Sequence, residues 1–140
     1  MKKLLISVAF CTVLIATFSV SVKAQNQQKP PTPEEMATAE TERLEKALKL
    51  EDWQVFYVDS TLQHDYAALD AELKGMQQAK VGNYDLYMEV QDRWMEQIDN
   101  SFKKWFDAGQ WKKYLKSGAG KAQKAREKRR AKAAKATQNL

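Results

Sequence analysis

Residues that build reactive centres are nearly missing from this chain. One cysteine and one histidine, Cys11 and His64, occur among 140 residues. A lone imidazole with no cysteine beside it excludes the usual zinc sites, which need three or four such ligands. It also leaves no serine, histidine and aspartate arrangement to activate a nucleophile. Neither a nucleophile paired with a base nor a glycine-rich phosphate loop can be found, so the sequence offers no enzymatic chemistry and calls for no cofactor or metal. The only three prolines fall between Pro30 and Pro33, and no stretch carries a strand signal. What is left is helix-forming sequence, and the expected fold class is all-α.

The first residues have the form of a transport signal. Met1-Lys2-Lys3 is a basic start, Leu4 to Val22 an apolar run, and Val22-Lys23-Ala24 supplies small residues before a cut. A membrane anchor is the competing reading, because a run of that length nearly spans a bilayer. Ser7, Thr12, Thr17, Ser19 and Ser21 dilute it, and cleavage after Ala24 is expected. Cys11 leaves with residues 1–24, so the mature chain has no disulfide. Export without cysteine fits the periplasm of a Gram-negative bacterium.

Charge is divided along the chain. Residues 25–111 hold nine Lys and Arg against seventeen Asp and Glu. Residues 112–140 hold eleven Lys and Arg against the single Glu127. The protein is an acidic body with a basic end.

Residues 25–33 read as an extended leader. Thr32-Pro33-Glu34-Glu35 opens a first helix as a capping box with proline at the first helical position. Leu44, Ala47 and Leu48 are its expected apolar face. A second helix, from about Asp52 to Lys80, carries Val55, Val58, Leu62, Tyr66, Leu69, Leu73 and Met76 at helical spacing. Gly82 is the expected left-handed residue after it, and Asn83 the next N-cap. A third helix from about Tyr84 to Trp105 places Tyr84, Tyr87, Met88, Gln91, Trp94, Met95, Ile98, Phe102 and Trp105 on or near one face. Asp107 caps a fourth. The helical domain covers 34–117, and residues 118–140 form a basic Ala/Lys-rich tail, disordered or frayed.

The architecture expected is a long antiparallel α-hairpin with flanking shorter helices. Its two main helices are roughly 33–44 Å long at 1.5 Å per residue. The rest of the chain is too short to cover them, so part of the aromatic face stays exposed or is buried by a second copy.

Two local patterns recur, Leu50-Glu51-Asp52-Trp53-Gln54 and Phe106-Asp107-Ala108-Gly109-Gln110. In each, an apolar residue precedes an acidic one and a glutamine follows three positions later, as at the start of a helix. Glu51 is a poorer cap than threonine, which moves the expected cap to Asp52. Leu50, Gln54, Phe106, Asp107 and Gln110 are the motif residues. The pair resembles the Leu-Thr-x-x-Gln repeats of the Spy/CpxP periplasmic family. Leu50, Gln54 and Gln110 match that motif, while Glu51 and Asp107 replace threonine and Phe106 replaces leucine. The resemblance implies a hooked four-helix hairpin that dimerises into a thin cradle. It also implies one of two roles: an ATP-independent chaperone for unfolding proteins, or a damper of an envelope-stress sensor.

Trp94, Trp105 and Trp111 are the aromatics expected to be most exposed, flanked by Arg93, Lys103, Lys104, Lys112 and Lys113. Apolar rings beside mobile cations attract acidic unfolded chains and then hold them by burial. Set against this is the plainer expectation that such rings form hairpin core. The carboxylates Asp65, Asp70, Glu72, Asp85, Glu89, Asp92, Glu96 and Asp99 read as solvated helix faces. For the basic tail the choices are a solvated helix, or attachment to an anionic envelope surface. Export and the lack of aromatics after Tyr114 argue against nucleic acid. The function expected is a dimeric periplasmic chaperone-like protein. The alternatives are a stress-sensor regulator, or a helical linker acting through the tail.

Overall fold

The computed structural model describes residues 29–138, and among them the fold is all-α. The expected signal at 1–24 and residues 25–28 of the leader lie outside the described residues. Helix α1 (Pro33–Leu48) starts with the expected capping box. The Thr32 N–H donates to Glu35 Oε2 at 2.8 Å, and the Glu35 N–H to Thr32 Oγ1 at 3.2 Å. At its other end Lys49 turns left-handed with φ 55°, and the Lys49 and Leu50 N–H groups both return to the Glu45 carbonyl.

Helix α2 (Asp52–Gln78) is capped by Glu51 rather than Asp52. The Gln54 side chain decides this, because its Oε1 accepts the Glu51 N–H at 2.9 Å. The helix also ends before Lys80. Lys80 itself takes the left-handed turn, with φ 54°, and the Val81 N–H closes onto the Met76 carbonyl at 3.0 Å. That bond places the reversal two residues before Gly82, which needs no positive φ.

Helix α3 (Tyr84–Trp105) begins at Asn83, whose side chain accepts the Asp85 N–H at 2.9 Å. Its contacts with α2 run in opposite chain directions. Trp94 meets Glu72, Gln97 meets Asp65, and Trp105 meets Tyr57 and Gln54. Helix α4 (Ala108–Tyr114) is capped by Asp107. A π-helical turn, Leu115–Ala119, follows, with Gly118 at φ 116°. Helix α5 (Gly120–Gln138) completes the described chain.

The core sits where α2 begins and α3 ends. Leu44 and Leu48 of α1, Val58 and Leu62 of α2, Ile98 and Phe102 of α3, and Tyr114 of α4 are buried there with Phe106. The rings of Phe102, Phe106 and Tyr114 pack mutually, with centroids 5.2–5.7 Å apart. On α1 the buried face is Ala37, Thr41, Leu44 and Leu48, whereas Ala47 is exposed. The face that meets α2 therefore runs through positions 37, 41, 44 and 48, and Ala47 lies off it. From residue 66 to 97 nothing is buried. That half of the α2–α3 pair is only sparsely covered, chiefly by α5 arginines at Asp92 and Glu96.

The residues expected as a disordered or frayed tail are instead helical and docked. They lack an apolar stripe, but a polar one replaces it. Arg126, Arg129 and Arg130 reach the α3 carboxylates of Asp99, Asp92 and Glu96, and Gln123 Nε2 donates to Asp99 at 3.0 Å.

Candidate interaction surface

The two motif glutamines meet at the centre of the fold. Gln54 Nε2 donates to Gln110 Oε1 at 2.7 Å, and Gln110 Nε2 donates to Gln54 Oε1 at 3.0 Å. Each also serves its own helix start. Gln54 Oε1 accepts from the Glu51 N–H, and Gln110 Oε1 from the Asp107 N–H at 3.0 Å. The Gln110 N–H in turn donates to Asp107 Oδ1 at 2.8 Å. A further bond from Gln54 Nε2 to the Trp105 carbonyl, at 2.7 Å, ties the end of α3 to the start of α2. Leu50 and Phe106 pack into the core beside this network. The motif residues are thus structural: they fix where two helices start and lock the starts together.

The aromatics expected at the surface occupy other places. Trp94, Trp105 and Trp111 are all half-buried. Trp94 donates its Nε1 to Glu72 Oε2 at 2.8 Å, and the Arg93 guanidinium lies 5.6 Å from its ring and pairs with the same carboxylate. The Trp94 hydrogen bond, followed by Arg93, holds the Glu72 carboxyl below the usual carboxylate range. Trp111 stacks near Tyr114, with centroids 5.4 Å apart. The eleven positions from Trp94 to Trp105 put these rings about 16 Å apart along α3, so the three tryptophans form no single patch. Lys103, Lys104, Lys112 and Lys113 are exposed, as expected of flanking cations.

A contiguous patch exists elsewhere. Phe56 is 66% exposed, Trp53 49% and Tyr57 47%. Tyr57 stands 5.5 Å from Phe56 and 6.3 Å from Trp53, both edge-on, and 5.2 Å from Trp105. Trp53 is oriented by an Nε1 bond to Glu51 Oε2 at 2.7 Å. Sequence reasoning missed this set because it followed the stripe through Val55, Val58 and Leu62. The signal was available: Trp53, Phe56 and Tyr57 share three-and-four spacing and lie about half a turn away from that stripe, on the opposite face of the helix.

Two carboxylates expected to be solvated are buried. Asp65 is covered by its contacts with Gln97 Nε2 at 3.0 Å and His64 Nδ1 at 2.8 Å. Asp99 accepts from Tyr114 Oη at 2.6 Å, from Gln123 and from Arg126, which is itself buried. Burial, then the Asp99 hydrogen bond and charge, push the Tyr114 phenol far above its ordinary value. Glu96 lies below the usual range because Arg130 donates to it. Asp92, Glu96 and Asp99 are therefore partners of α5 within one chain, not a solvated face. Compared with known proteins, the chain matches no family model, no curated protein and no solved structure.

Proposed function

We propose that this chain is a chaperone-like protein that binds unfolded or misfolding proteins without nucleotide or metal. The carrying observation is the patch of Trp53, Phe56 and Tyr57, in which Tyr57 touches both other rings and all three are about half exposed or more. Holding three aromatics in water is unfavourable, and contiguous exposed apolar surface marks an interaction site. Aromatic rings offer large contact area at small cost in side-chain entropy, which suits varied partners. The resemblance to the Spy/CpxP family supports the same reading, as does the expected export of the chain to the periplasm. A homodimer belongs to this proposal, with the sparsely covered half of α2 and α3 available to a second copy.

The test is suppression of aggregation of several unrelated denatured proteins by stoichiometric amounts of the chain. Replacing Trp53, Phe56 and Tyr57 together with alanine should abolish suppression and leave the helical circular dichroism unchanged. Failure of the unaltered chain to suppress any of them sinks the proposal. One tight envelope partner without general suppression would favour the stress-sensor regulator.

A further inference from the structure

We propose that α5 is a two-faced helix whose outer row of lysines docks the protein on an anionic lipid surface. This goes beyond the chaperone reading and does not depend on it. The inner face is arginine. Arg129 grips Asp92 with two nitrogens at 2.7 and 2.6 Å, Arg130 likewise takes both oxygens of Glu96, and Arg126 is buried against Asp99. The outer face is lysine. Lys121, Lys124, Lys128, Lys132 and Lys135 recur at three-and-four spacing, and all are exposed. At 100° per residue they fall within about 80° of arc, on the side opposite the arginines. Among the described residues, none of the five has a carboxylate within ion-pair distance.

The row continues past the helix. Lys121 and Lys124 line an open cleft with Lys112 of α4 and Lys116 of the π turn. Seven like charges on one ridge repel each other and contribute no contact within the chain. The division of labour is what calls for a partner. Guanidinium, with its planar fork, is used where a carboxylate is gripped, and the compact ammonium is left facing water.

The geometry selects the kind of anion. A helix that reads duplex DNA enters the major groove, but α5 has α3 along its arginine side and can present only one row. Its 19 residues contain no aromatic to stack on unpaired bases. They contain no apolar row to insert into a bilayer either. A straight ridge about 21 Å long, from Lys121 to Lys135, suits a planar charged surface and touches it by charge alone.

The experiment is sedimentation of the full chain with vesicles of phosphatidylcholine alone or mixed with phosphatidylglycerol, across a range of salt. The apolar run at 4–22 acts on both vesicle types, so the quantity read is the anionic-to-neutral partition ratio. That ratio should be well above one and fall steeply with salt. K121Q/K124Q/K128Q/K132Q should lower it on the order of a hundredfold or more, with helical content retained because these lysines hold nothing in the fold. A charge-matched control, K29Q/K46Q/K74Q/K80Q, should keep most of it. Equal loss in both variants, a ratio near one in the unaltered chain, or tight binding to duplex DNA without lipid binding would each overturn the proposal.

Discussion

The side-chain amides of Gln54 and Gln110, 56 residues apart in the chain, hydrogen-bond each other in both directions, at 2.7 and 3.0 Å. Each also caps the helix on which it sits. One residue type at one position thus sets a helix start and its partner. Gln54→Ala leaves the part-buried Glu51 N–H and Trp105 carbonyl and the buried Gln110 Nε2 without their partner, while Gln110 Oε1 keeps the Asp107 N–H. Each such group costs about 1–3 kcal/mol, so a loss of about 2–4 kcal/mol is expected in urea unfolding. Gln110→Ala should cost a similar amount. The double variant should lose less than the sum, with a coupling of about 1 kcal/mol or more. Strict additivity would show that the amides do not act as a pair.

This pairing marks the boundary of what local sequence could tell. The starts at Thr32, Asn83 and Asp107 were legible because capping is chemistry among residues two or three apart. That Gln54 would find Gln110 was not, since it depends on the register of α2 against α3. Asp65 and Asp99 were misread as solvated for the same reason. A carboxylate's burial is decided by what packs over it, and Arg126 arrives 27 positions after Asp99. Helix α5 escaped a search for apolar periodicity because its docking face is made of Gln123, Arg126 and Arg130. The aromatic patch was missed by following only one of two faces on α2.

Alkaline pH should expose the Asp99 cluster. Burial and the Asp99 carboxylate keep the Tyr114 phenol protonated in the fold well above its ordinary range, and burial raises Tyr66 as well. Unfolded tyrosine loses its proton near pH 10. Above that pH the native state holds more protons than the unfolded state, so stability falls as pH rises. The contribution is fully present below about pH 10, and Tyr114 alone should remove about 1.4 kcal/mol per pH unit above it. Tyr114→Phe should cost about 1–3 kcal/mol at neutral pH through the lost bond to Asp99, and it should flatten the alkaline slope. Denaturant unfolding from pH 8 to 11 measures both. An unchanged slope in the variant would place the titrating group elsewhere.

The grip of α5 on α3 is polar throughout, which makes it sensitive to single charges. An isolated helix of this length and composition is marginal in water, so α5 should fray when its hold is lost. Removing one partner of a buried pair costs about 3–5 kcal/mol, and Arg126→Ala should speed amide hydrogen exchange across residues 120–138 selectively. Arg129→Ala and Arg130→Ala break exposed pairs and should cost about 1 kcal/mol or less each, with the difference fading in high salt. The Arg130 contact has an acid limit. Glu96 has a depressed folded value, so its contribution is present above about pH 4.5 and disappears as pH falls through that lower value. Uniform exchange rates along all helices after Arg126→Ala would contradict a localised grip.

Gly118 aims α5 at its carboxylates. Its φ of 116° is closed to side-chain-bearing residues, while the space around it is open, with nothing within 4 Å of an added Cβ. The cost of Gly118→Ala is therefore backbone strain alone, about 1–3 kcal/mol, and it can be relieved by straightening the π turn. Straightening swings α5 and withdraws Arg126 from Asp99. The variant should consequently show the fast exchange of Arg126→Ala without touching any charged group. Adding Arg126→Ala to Gly118→Ala should then cost little more, because the contact is already gone. Adding Gln54→Ala should cost its full amount, since the glutamine pair lies on the other side of α4 from the turn. Full additivity with Arg126→Ala would mean that α5 keeps its place without the glycine, and the kink would have no part in positioning it.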